Sequence, residues 1–102
     1  MVEVLQEKRD AIAAACARHG VARLEAFGSV LHEDFKPGQS DVDLLVDFRP
    51  MAPYARVDAY FGLLEELRSL LEGEVDLVMV GAVRNPYIAR TIERTKQLLY
   101  AS

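Results

Sequence analysis

The sequence holds one cysteine, Cys16, and no tryptophan in 102 residues. A lone cysteine forms no intramolecular disulfide and builds no thiolate zinc cage, so the composition favours a reducing compartment, with Cys16 as core filler. Long apolar runs are missing too: none approaches the roughly 20 residues of a spanning helix. Charges stand near the N-terminus, where a signal peptide would carry its apolar segment. The expectation is a cytoplasmic protein, neither secreted nor membrane-embedded. Basic residues are in deficit, with 12 Lys plus Arg against 16 Asp plus Glu and a formal net charge of −4. Neutralising a nucleic-acid backbone needs a basic footprint, so direct nucleic-acid binding is not expected.

What is present is a chain 51% hydrophobic, enough for one soluble domain over residues 1–102 with a single core. Its charge is uneven. Residues 82–102 hold Arg84, Arg90, Arg94 and Lys96 against Glu93 alone, on an otherwise acidic chain. Such a basic stripe is either a solvated face or a contact for phosphates or an acidic partner.

Residues 3–19 read as a helix, with Leu5, Ala11, Ile12, Ala15 and Cys16 on one side and Gly20 ending it. Val21 to Phe27 has the alternation of a half-buried strand, with Arg23 and Glu25 on its polar side. Gly28-Ser29 breaks that strand, a turn runs through His32, and Asp34 to Ser40 is a loop. Asp41 to Phe48 is the next strand and Arg49 to Val57 a second loop. Asp58 then caps a helix that Gly73 closes, Glu74 to Val80 is a third strand, and Asn85-Pro86 opens a last helix to about Tyr100. A short mixed β-sheet flanked by helices, an α+β fold, buries these faces.

The informative strand residues are three aspartates. Asp41, Asp43 and Asp76 sit among Val, Leu, Met and Phe, although aspartate is a poor strand former and costly to bury. The two-residue period points Asp41 and Asp43 to one face, roughly 6 to 7 Å apart. Like charges so close need protonation or a cation, and a divalent metal with oxygen ligands is the simplest neutraliser. An aligned neighbouring strand would add Asp76, and three carboxylates can hold two magnesium ions, the remaining positions going to waters and phosphate oxygens. Gly28 at the strand-to-turn junction lets backbone approach a ligand, and the amides opening the turn suit an anion.

Together, Phe27-Gly28-Ser29, the loop, Ser40-Asp41-Val42-Asp43-Leu44-Leu45-Val46 and Val75-Asp76-Leu77-Val78 resemble the minimal nucleotidyltransferase family of the polymerase-beta-like superfamily. The resemblance runs from Val21 to the closing Leu98-Leu99-Tyr100. It implies the nucleotidyltransferase fold, with Gly28 and Ser29 in the triphosphate-binding turn, Asp41 and Asp43 as paired metal ligands and Asp76 as the third catalytic carboxylate. Two features depart from the family pattern. Eleven residues separate Ser29 from Asp41, at the long end of the usual spacing, and Val30, Leu31 and His32 stand where many relatives place arginine. His32 is thereby a candidate phosphate contact with pH-dependent charge, or a plain surface residue.

The implied activity is transfer of AMP from ATP to an acceptor hydroxyl with two magnesium ions, manganese being an alternative. Small members resemble type VII-like antitoxins that adenylylate a tyrosine of a HEPN-type toxin. The competing reading is a non-catalytic antitoxin that neutralises its toxin by occlusion. Against it, occlusion has no need of clustered charges that cost stability. An antibiotic adenylyltransferase fits less well, for want of a second domain to form a drug pocket.

Overall fold

The computed structural model describes residues 3–28 and 41–102; Ser29 and His32, expected to bind nucleotide, lie outside them. Its elements are α1 (Glu3–Glu7), α2 (Arg9–Arg18), β1 (Val21–Phe27), β2 (Val42–Phe48), α3 (Pro53–Leu71), β3 (Val75–Met79), α4 (Pro86–Thr95) and β4 (Gln97–Ala101). The four strands form one mixed sheet in the order β3-β2-β1-β4. β1 pairs antiparallel with β2 and β4, while β2 and β3 run parallel, joined by the crossover helix α3. The α+β architecture expected from the strand and helix patterns is therefore the one observed.

One face of the sheet carries the core. Leu24, Ala26, Val42, Leu44, Val46, Val75 and Leu77 meet Leu5, Ile12, Ala15 and Cys16 from the first helices and Leu63, Leu67 and Leu71 from α3. Leu24, Leu44, Leu63 and Leu67 are fully buried, each contributing roughly 1.5–3 kcal/mol. The Tyr60 hydroxyl adds a polar tie, donating to the Leu77 carbonyl at 2.6 Å and fastening α3 to β3.

The helix boundaries differ from the sequence reading, and β2 and β3 are shorter, at Val42–Phe48 and Val75–Met79. The first helix is interrupted by a turn at Lys8, although Lys8 N donates to the Val4 carbonyl and Ile12 N to that of Lys8, so the ladder passes through. α3 starts at Pro53 rather than after an Asp58 cap, because a first-turn proline lacks only an N–H that the turn leaves unused. Its left-handed terminus is Glu72, at φ 53°, rather than Gly73. The last helix ends at Thr95: Lys96 is extended, and Gln97–Ala101 form β4. A short apolar run suits helix or strand, and here the exposed edge of β1 decides. Leu99, at 2% exposure, joins the core from β4.

Candidate active site

The opposite face of the sheet is where the chemistry gathers. With Leu24, Ala26, Leu44, Leu77 and their neighbours turned to the core, the two-residue period turns Glu25 and Phe27, Asp43 and Leu45, and Asp76 and Val78 the other way. Strand register then sorts these side chains into rows. Phe27 stands opposite Asp43 across β1 and β2, and Asp43 stands beside Asp76 across β2 and β3. Adjacent strands lie about 4.8 Å apart, so two carboxylates sit side by side. Asp43 is half-buried and Asp76 exposed. Asp41 lies one residue ahead of β2 and is exposed; next to it, Val42 N donates to the Glu74 carbonyl at 3.0 Å, carrying the β2–β3 pairing to this end of the sheet.

Gly28, at the end of β1, presses its backbone against this row. Its φ is +73°, in the left-handed region that penalises any residue with a side chain. A Cβ there would collide with Asp43 Oδ2 and stand 3.2 Å from Asp43 Cγ. Glycine is thus required twice over, by conformation and by the carboxylate beside it.

The donor set suits magnesium or manganese. It is all hard oxygen, split between neighbouring strands, and magnesium binds through one or two carboxylates plus waters and substrate phosphates rather than in an all-protein cage. Among the described residues no three His, Cys, Asp or Glu side chains come together as a metal-holding group, so Asp41, Asp43 and Asp76 are not gathered into one cluster here. Of the three aspartates singled out in the sequence, Asp43 and Asp76 stand in one row, with Asp41 at the strand entrance.

α4 lies across the same face. Asn85 caps it, its Oδ1 accepting from Tyr87 N at 2.9 Å and Ile88 N at 3.4 Å, and Pro86 fills the first turn. These are the cap and first-turn proline read from the sequence. Between α4 and the β1 terminus runs a cleft of 310 Å³, lined by Phe27, Gly28, Tyr87, Ile88, Thr91 and Ile92. Its lining is mostly apolar and it opens next to Asp43 through Gly28. In the sequence the arginines are the conspicuous residues of this helix, yet 88, 91 and 92 have the spacing of one helical face.

Glu25 stands on the face that the alternation of β1 gives it, yet it is nearly buried there, only 4% exposed. Lys96 Nζ approaches its Oε1 at 3.4 Å, as does Arg23 Nε. Lys96, counted in the basic stripe, is therefore partly a structural cation; a hydrogen bond to Glu93 is the first cause of its upward-shifted pKa, and the Glu25 carboxylate adds to it. Arg84, Arg90 and Arg94 remain exposed.

Residues 8–99 match the nucleotidyltransferase domain family. Two proteins of Methanocaldococcus jannaschii, each named "Putative protein adenylyltransferase", are 36% identical over 83 residues and 31% identical over 84; each alignment covers 81% of this chain and 79% of the relative. A structure described as a "putative minimal nucleotidyltransferase" is 32% identical, with a TM-score of 0.75 and coverage of 95% of both chains. A toxin-antitoxin crystal structure with AMP-PNP superposes at a TM-score of 0.67, over 92% of this chain and 73% of that one. At 20% identity, that likeness speaks for the fold.

Proposed function

The chain belongs to the minimal nucleotidyltransferase family, and from that premise we propose that it is a magnesium-dependent protein adenylyltransferase acting as an antitoxin. It moves AMP from ATP to a hydroxyl of a partner toxin, the acceptor being a tyrosine of a HEPN-type protein. The observation that carries this reading is the row formed by Gly28, Asp43 and Asp76 beside an apolar cleft. The names of the archaeal relatives support adenylyl transfer to protein, and the toxin-antitoxin neighbour with a nucleotide analogue supports a toxin partner.

In this mechanism the bare Cα of Gly28 lets the Asp43 carboxylate stand against the strand end, where the phosphates come, while the cleft between Phe27 and Ile88 takes the base. Asp41, Asp43 and Asp76 would hold magnesium, which when bound neutralises phosphate charge, stabilises departing pyrophosphate and acidifies the acceptor hydroxyl. Asp76, more exposed than Asp43, faces the incoming acceptor and takes its proton. The acceptor oxygen then bonds to the α-phosphorus in line with the bond that breaks, and pyrophosphate leaves. Catalysis here is chiefly positioning and charge stabilisation.

The test is direct. Incubated with purified partner toxin, ATP and magnesium, the protein adds one AMP to the toxin, seen by mass spectrometry and mapped to a tyrosine. Asp41→Asn and Asp43→Asn lose that transfer while keeping their circular dichroism. If both variants neutralise the toxin as well as the parent and no mass is gained, occlusion is the mechanism.

A further inference from the structure

α4 forms one wall of the nucleotide cleft, and among the described residues it buries few of its own side chains before the chain passes into β4. Ile92 is its one buried residue, at 4% exposure, while Tyr87 and Ile88 stand 79% and 52% exposed. In the segment leading into it Gly81 sits at φ +92°, with nothing within 4 Å of where a Cβ would be. At the other end the situation is different. Lys96 Nζ donates to Glu93 Oε1, in the last turn of α4, at 2.8 Å, and approaches Glu25 Oε1, in the middle of β1, at 3.4 Å. One ammonium thus bridges a carboxylate of the helix and a nearly buried carboxylate of the sheet.

We propose that the Glu25–Lys96–Glu93 bridge is a positioning device that sets α4 at the height the nucleotide needs; it rests on the reading of this cleft as the nucleotide site. The geometry favours this over a general stabilising role. Glu25 keeps Arg23 as a second partner at 3.4 Å, so removing the Lys96 charge leaves no isolated buried anion. Glu25 also stands two residues before Phe27, a cleft residue opposite Asp43, so the bridge pulls α4 toward the strand that builds the site. A binding-competent arrangement populated only part of the time weakens apparent affinity in proportion, so an α4 docked a tenth of the time costs about tenfold.

The experiment compares the parent with Lys96→Met, Lys96→Arg and Glu25→Gln. Lys96→Met keeps the length of the stem and loses the charge; Lys96→Arg restores it. Three quantities are read: ATP affinity with magnesium by calorimetry, KM and kcat of transfer to the partner, and amide exchange across α4 against α2 and α3. The expected result is about tenfold weaker ATP binding and higher KM for Lys96→Met, with kcat little changed. Exchange rises in residues 86–95 alone, Glu25→Gln moves the same way, and Lys96→Arg recovers most of the loss. Unchanged affinity and α4 exchange in Lys96→Met overturn the proposal, as does a uniform rise in exchange across all helices. Exchange reads the bridge without turnover, so an inactive parent would overturn the enzymatic reading while the bridge was still judged.

Discussion

Gly28 and Asp43 are packed so closely that the strand-end backbone and the carboxylate leave no room for a methyl group between them. The first expectation follows from that contact. Gly28→Ala combines the cost of a left-handed backbone, about 1 kcal/mol, with a displaced Asp43. Transfer of labelled AMP should fall to background, whereas the melting temperature drops by only a few degrees. Gly28→Val, with a β-branched side chain, should be worse on both counts. Full activity in Gly28→Ala would mean that Asp43 is not a ligand where it now stands.

The second concerns the side-by-side aspartates. Magnesium or manganese with ATP should raise the melting temperature, since a ligand that binds only the native state stabilises it by mass action. Asp43→Asn and Asp76→Asn should each abolish the shift. Asp76→Asn should melt at or above the parent temperature without metal, because a like-charge neighbour of Asp43 has been removed. A parent-sized shift in Asp76→Asn would exclude that residue from the metal site.

These two predictions draw on features the sequence exposed unequally. Asp43 and Asp76 were legible because a charged residue in an apolar strand has no packing reason to be there, and their common face follows from the two-residue period. That they stand in one row needed the β2–β3 register, which no local pattern encodes. The polar side assigned to Glu25 came from the same alternation and misjudged its environment: Lys96 reaches it from 71 residues further along the chain. β4 was hidden for a related reason, since Leu98-Leu99-Tyr100 is too short to declare a period and its state is set by the edge of β1. The start of α3 was missed because Pro53 was read as part of a loop, although a proline is at home in a first helical turn.

The third prediction concerns alkaline pH. Burial pushes the Cys16 thiol from 9.0 up to about 12. Above pH 9 the unfolded chain releases a proton that the folded chain retains, so stability present below pH 9 declines as pH rises toward 12. Lys96 acts in the same direction: its raised pKa means stability complete below its unfolded pKa and lost as pH rises through the folded one. Melting temperature should therefore fall from about pH 9 upward. Cys16→Ala should melt lower at neutral pH, for loss of packing, yet fall less steeply across that window. Native Cys16 should resist a thiol reagent at neutral pH and react on unfolding; rapid labelling of the folded protein would contradict its burial.

The last prediction addresses the exposed cations of α4. Arg90 and Arg94 lie four residues apart on one side of the helix, and both are exposed, unlike Lys96. Rim charges of this kind act mainly on association rate and its salt dependence, and exposed pairs add roughly 0.2–1 kcal/mol at most. If an acidic surface of the toxin meets this helix, reversing both arginines to Glu should slow association severalfold in low salt. The gap from the parent should then close as ionic strength rises and the screening length shrinks. ATP affinity should change little, because the cleft is lined by the apolar turn of α4 and not by these side chains. Equal association rates at every salt concentration would make the pair a solvated face, and a loss confined to ATP affinity would instead assign the arginines to the nucleotide phosphates.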